Sequence, residues 1–236
     1  MTSHRVRHLN PPMQIPILIL IDEPLTRKLL QTSKLKYRQI KTSTIKMLAE
    51  VERYFEQPSL RQPIKFQLIK TRFLKNNTKI NMNQNGSEYL KSYCDWQKKK
   101  KTKKWFLSVL FTGLDIYYEN KGKKMMLSTG RSYMNGICNQ AKSCVIIEWH
   151  PKNTAYLLTH EIAHSIGLPH DGQPYNKCNK FGYVMGSRYN KKRPPRIWSP
   201  CNRHQLKSIL NPDQELNPVL PHLNLRSSLC NFSDLF

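Results

Sequence analysis

His160, Glu161, His164 and His170 have the residue types and spacings that zinc chemistry uses. Residues four apart share one face of an α-helix, so His160 and His164 can aim two imidazoles at one point. Glu161 projects beside them, close to that point but at the wrong angle for a third ligand from the same helix. Gly167 suits a helix end, where the chain often enters left-handed backbone that glycine adopts cheaply. The turn lets His170 come back to the same point. Three protein ligands leave one position of a tetrahedral ion open for water, which marks a catalytic rather than a structural site.

The whole run from His160 to His170 resembles the metzincin signature H-E-x-x-H-x-x-G-x-x-H. That signature requires a methionine turn downstream, and Gly182-Tyr183-Val184-Met185-Gly186-Ser187 supplies one. Asp171, directly after the third histidine, is typical of the adamalysin (reprolysin, M12B-type) group. Trp198-Ser199-Pro200-Cys201 and the helical run through Leu206 and Leu210 resemble that group's C-terminal helix. Cys94-Asp95-Trp96-Gln97, Gly136-Ile137-Cys138 and Ser143-Cys144 resemble its upstream segments. The likeness is strongest to catalytic domains with thrombospondin-motif relatives and to arthropod venom and salivary metalloproteases. It covers nearly the whole chain, from about Ile15 to Cys230.

The resemblance implies a metzincin zinc-protease fold of the α/β (α+β) class. Its sheet would be mixed and mainly parallel with flanking helices, followed by a smaller irregular C-terminal subdomain. It implies a metalloendopeptidase with one catalytic Zn2+ on His160, His164 and His170. Water at the open position would have its pKa lowered toward about 7, and Glu161 would take its proton as general base. Met185 would form an apolar floor beneath the metal, and Asp171 would orient the lower subdomain through hydrogen bonds. The specificity pocket would follow the methionine turn, from Gly186 through Pro195. The group's disulfide pattern implies Cys94–Cys144, Cys138–Cys230 and Cys178–Cys201. Many relatives also hold a structural calcium. Pro16, Phe106 and Ser233 fall at its ligand positions and offer no carboxylate, so structural Ca2+ is not expected.

The elements that must position these residues follow from periodicity. Ile15 to Ile21 reads as a buried strand, and Ser43 to Phe55 as a helix ended by Gln57-Pro58. Ile64 to Leu74 reads as a second strand, Glu88 to Lys100 as a second helix, and Trp105 to Ile116 as a third strand. Met125 to Tyr133 would be the antiparallel edge strand, which in the resembled group pairs with extended substrate. Cys144 to Trp149 is the last strand and Thr154 to Ile166 the active-site helix. Residues 1–13 read as a basic arm and 14–236 as one peptidase domain, its upper subdomain about 14–167 and its lower about 168–236.

Composition bounds the setting. The chain has 236 residues, enough for one well-cored domain or two small ones. No apolar stretch reaches the roughly 18 residues a membrane span needs. Six cysteines without a C-x-x-C pair argue against a second zinc site. Their spacing alone leaves the pairing open, and six reduced thiols in the core are the alternative to disulfides. Disulfides would place the protein in an oxidising, extracellular compartment. Sequons begin at Asn76, Asn85 and Asn231, which fits secretion. No leader or prodomain is visible, so the chain reads as a mature catalytic domain or a truncated reading frame.

The 39 Lys and Arg against 15 Asp and Glu give a formal charge of +24. The densest cluster is Lys98 to Lys101 with Lys103 and Lys104, flanked by Trp96 and Trp105. It reads as a solvated loop or as a footprint for an anionic surface or glycosaminoglycan. No specific nucleic-acid partner is implied. His4, His8, His150, His204 and His222 lack ligand spacing and read as structural or exposed. Two rival functions remain: a binding or toxin module that keeps the fold without activity, and a polyanion-binding protein with a structural zinc. The intact histidines and Glu161 argue against the first.

Overall fold

β1 (Met13–Ile21) is apolar at almost every position and is buried on both faces, as a central parallel strand must be. Its side chains alternate between two cores. Ile15, Ile17, Ile19 and Ile21 face one, and Leu18 and Leu20 face the other. The computed structural model describes residues 13–75, 78–99, 104–120, 122–126, 130–137 and 139–210. β1 pairs in parallel with β2 (Ile64–Phe73) on one side and β3 (Leu107–Thr112) on the other. β3 pairs in parallel with β7 (Cys144–Glu148). β6 (Gly130–Ser132) runs antiparallel to β7, giving the sheet order β2-β1-β3-β7-β6. The sheet is therefore mixed and mainly parallel, as expected.

Two long helices cover one face. α2 (Tyr37–Phe55) and α4 (Thr154–Ile166) pack against each other and bury Val51, Phe55, Leu158 and Ile162. α3 (Gly86–Lys98) covers the other face with Tyr89, Leu90 and Tyr93. α5 (Pro200–Leu210) follows a long irregular segment and seals Leu206 and Ile209 into the first core. Trp198, just before it, packs on Phe55 and donates its indole N–H to Tyr54 O at 2.7 Å.

The boundaries differ from expectation where local hydrogen bonds decide them. α2 starts at Tyr37 rather than Ser43 because Gln39 Oε1 accepts from the Lys36 N–H at 2.7 Å. α3 starts at Gly86 because the Asn85 side chain caps it, accepting from Ser87 N at 3.0 Å. α1 (Glu23–Arg27) and the π-helical turn Lys28–Thr32 were not expected. Asp22, directly after the first strand, is the N-cap of α1 with Pro24 in its first turn, a signal readable in the sequence.

Strand three stops at Thr112 rather than Ile116. There Asp22 Oδ1 accepts from Gly113 N at 3.2 Å and the chain turns away. The expected edge strand Met125 to Tyr133 is not one element. Lys123–Met125 (β5) pairs with Tyr118–Asn120 (β4) in a separate hairpin, and only β6 joins the sheet. The 1–12 part of the basic arm, Asn76 and Asn231, and Lys100, Lys101 and Lys103 lie outside the described residues.

Candidate metal centre

α4 is apolar nearly all round, so it is held as a core helix rather than a surface one. Its start is tied by Thr154, whose hydroxyl donates to His150 O at 2.6 Å. Burial of Leu158, Ile162 and Ala163 fixes its rotation and leaves His160, Glu161 and His164 toward a cleft of about 560 Å³. The helix ends at Gly167, whose φ of +119° lies in the region that glycine alone adopts cheaply. The Leu168 N–H then bonds back to Ala163 O at 2.9 Å, and the chain reverses toward His170.

The reversal brings three imidazoles to one point. His170 Nε2 lies 3.0 Å from His160 Nε2 and 3.1 Å from His164 Nε2. The other nitrogens are committed: His160 Nδ1 sits 2.9 Å from Val184 O, and His164 Nδ1 sits 2.9 Å from Leu168 O. A carbonyl only accepts, so those Nδ1 atoms carry the protons and the Nε2 lone pairs face one another. The His160 and His164 lone pairs converge on His170 Nε2, and one cation between the three nitrogens would satisfy all of them. Tetrahedral zinc with Zn–N bonds of about 2.0–2.1 Å places its nitrogens about 3.3 Å apart, close to this spacing. Burial pulls all three imidazoles down to about 4, and repulsion within the trio adds to it. They are neutral at neutral pH, the form that binds metal. The residues present fit zinc.

Glu161 points into the same cleft. Its Oε2 accepts from Ser132 Oγ at 2.6 Å. Burial raises its pKa, against the opposing pull of His160, the Ser132 hydrogen bond and Arg131. Gly130 is required beside it, because a Cβ there would stand 2.8 Å from Glu161 Cγ. Gly130 and Ser132 are two apart on β6, so both face the helix. Neither was singled out from sequence, since only the register of β6 against β7 puts them there.

The methionine turn supports the centre through its backbone. Val184 O accepts from His160 Nδ1 and, at 3.1 Å, from Tyr156 OH. Met185 is fully buried in the core that contains α4. Asp171 ties this segment to the last helix: its N–H donates to Met185 O at 2.8 Å, and its Oδ1 accepts from Ser199 Oγ at 2.6 Å. Ser199 Oγ in turn accepts from Asn202 N within α5. Cys178–Cys201 braces the same region, with Cα atoms 6.1 Å apart, and Cys94–Cys144 joins α3 to β7. Asp171, Cys178 and Cys201 also cluster, but the disulfide removes both thiols as ligands.

The aromatic floor of the cleft, Tyr156 against Tyr189 with ring centroids 4.5 Å apart, was not expected. A larger groove of about 710 Å³ runs along α3 past Lys79, Glu88 and Lys91, and holds none of the histidines. Pro16 and Phe106 meet through a 2.9 Å backbone hydrogen bond. Ser233, Cys138 and Cys230, and with them the expected third disulfide, lie outside the described residues, as do His4, His8 and His222. His150 Nε2 lies 3.0 Å from Glu148 Oε1, away from the metal cleft's three histidines.

Comparison with known proteins agrees with this geometry. The sequence model described as Reprolysin (M12B) family zinc metalloprotease matches residues 27–216. A disintegrin and metalloproteinase with thrombospondin motifs 13 of Homo sapiens is 40% identical over 82 residues, which are 35% of this chain and 6% of that protein. The thrombospondin-motifs 1 protein of Homo sapiens is 22% identical over 183 residues, 73% of this chain and 18% of that one. The gon-1 protein of Caenorhabditis elegans, of the same type, is 27% identical over 187 residues, 73% of this chain and 8% of its own length. The chain thus spans less than a fifth of these relatives. A solved chain from a structure described as a chaperone-substrate complex shares the fold, with a TM-score of 0.53 and 14% identity over 84% of this chain and 35% of its own.

Proposed function

Because the chain belongs to the reprolysin (M12B) family of zinc metalloproteases, we propose that it is a metalloendopeptidase that cleaves internal peptide bonds of protein substrates. His160, His164 and His170 hold one catalytic zinc, and Glu161 is the general base. The observation that carries this reading is the convergence of three Nε2 atoms beside a carboxylate in one cleft. When bound, zinc supplies the Lewis acidity that activates water and polarises a carbonyl.

The chain's own groups do the rest. Ser132 holds Glu161 Oε2, which leaves Oε1 to take a proton from the attacking water. The same carboxyl then delivers that proton to the leaving amine nitrogen. β6 lies at an edge of the sheet, where an extended peptide can add as a further strand. Met185 serves as the apolar floor. Residues 14–236 act as one peptidase domain, with an upper part to about 167 and a lower part after it.

The two disulfides among the described residues fit an oxidising, extracellular setting. Resemblance to venom and salivary enzymes favours a secreted role, and the lysine run reads as a solvated loop that an anionic surface such as a glycosaminoglycan could also engage. No helix among the described residues is long and apolar enough to cross a membrane.

Glu161→Gln tests the assignment. The glutamine keeps shape and cannot accept the proton, so zinc content and fold should persist while chelator-sensitive peptide hydrolysis falls by about 10²-fold or more. Turnover above a few per cent of the parent protein's would refute the general-base role.

A further inference from the structure

The wall of the metal cleft carries a charge that the proposed mechanism does not use. Arg131 sits between Gly130 and Ser132 on β6, so its side chain leaves the opposite face of the strand from the two that meet Glu161. Its stem packs over Gly86, where an added Cβ would stand 3.4 Å from Arg131 Cγ. Its guanidinium stacks over the Tyr118 ring, 4.7 Å from the centroid. Arg131 Nε is buried and has no hydrogen-bond partner among the described residues. A buried guanidinium nitrogen without an acceptor is costly, and the group is planar and forked to receive a carboxylate. Arg188 lines the same cleft, and Glu161, already held by Ser132, is the one acidic side chain among the described residues of that lining.

We propose that Arg131 is a specificity determinant that selects substrates with a glutamate or aspartate within two residues of the scissile bond. This rests on the peptidase reading above. A peptide added along β6 alternates its side chains as the strand does. Those on the face away from α4 run past Arg131 and Tyr118, and a carboxylate there meets the half-exposed guanidinium where it lines the cleft. Tyr118 holds the guanidinium in place, so little side-chain freedom is lost on binding.

The chain is basic throughout, so the test must separate a local contact from general attraction. Matched peptides carry Glu, Gln or Lys at one position beside the scissile bond, and a fourth carries Glu six residues away. With the zinc-loaded protein, the adjacent Glu peptide should show a kcat/KM about tenfold above Gln, mainly through KM, with Lys lower still. The remote Glu peptide should match Gln. Arg131→Met should bring the Glu-to-Gln ratio near one, Arg131→Glu should favour Lys, and Arg131→Lys should keep part of the preference.

Equilibrium binding of the same peptides to the Glu161→Gln protein reads the preference without turnover. Absence of cleavage would therefore count against the peptidase reading, while the binding ratio would still decide the role of Arg131. Equal handling of all four peptides, an advantage for remote Glu as large as for adjacent Glu, or a ratio unchanged in Arg131→Met would overturn the proposal.

Discussion

Glu161 has two carboxylate oxygens and needs only one for proton transfer. The Ser132 hydroxyl binds the other at 2.6 Å, and Gly130 leaves the room in which the carboxyl turns toward the cleft. A hydrogen bond to a charged group contributes about 1.5–3 kcal/mol, and part of that orients the base. Ser132→Ala is expected to lower kcat by about fivefold to tenfold with little change in KM. Ser132→Thr, which restores the hydroxyl, should recover most of the loss. Steady-state kinetics on one peptide check both, and a pure KM effect would mean that Ser132 meets substrate instead.

At the scale of elements, the centre depends on how α4 ends. His160 and His164 come from the helix, but His170 reaches them only after the left-handed step at Gly167. A Cβ at that position would collide with the side chain of Asn135, and an L-residue at positive φ costs about 1–2 kcal/mol before any collision. Gly167→Ala should lower thermal stability and, more sharply, zinc affinity, because the Leu168 carbonyl that orients His164 moves with it. A chelator competition assay beside a melting curve separates the two. Unaltered zinc affinity would show that the reversal tolerates a different turn. His160 has a second support in Val184 O, so the methionine turn sets ligand orientation from the other side.

Across the whole molecule, a charge of +24 is carried by a fold whose cores are apolar on both sheet faces. The excess lysine is therefore a surface property. Lys99 borders the groove along α3 rather than the metal cleft, and Trp96 and Trp105 pack on the core beside α3. The tryptophans flanking the lysine run are thus structural. Neutralising Lys98, Lys99, Lys101 and Lys104 should move elution from a polyanionic matrix to lower salt. Clustered charges within about 8 Å of one another act together at physiological ionic strength. Hydrolysis of a neutral peptide should stay near the parent value. Unchanged retention would mean that the run is only a solvated loop.

The chemistry was legible in the sequence because helical spacing and a glycine stop are local properties. His160, Glu161, His164, Gly167 and His170 need no distant contact to be recognised as a set. The central strands were legible too, since burial on both faces leaves an unbroken apolar run such as Ile15 to Ile21. Disulfide partners came only with family resemblance, because spacing does not say which cysteines meet. What sits around the metal was decided by tertiary structure. Arg131 and Ser132 are neighbours with nothing unusual in their sequence context. Pairing of Arg131 with Ile146 sends one to the Tyr118 side and the other to Glu161, and a one-residue slip would exchange them. Asp22, next after the first strand, likewise becomes a junction only when folding brings Gly113 and Tyr89 to its carboxylate. Such roles depend on residues far apart in the chain, and no local period encodes them.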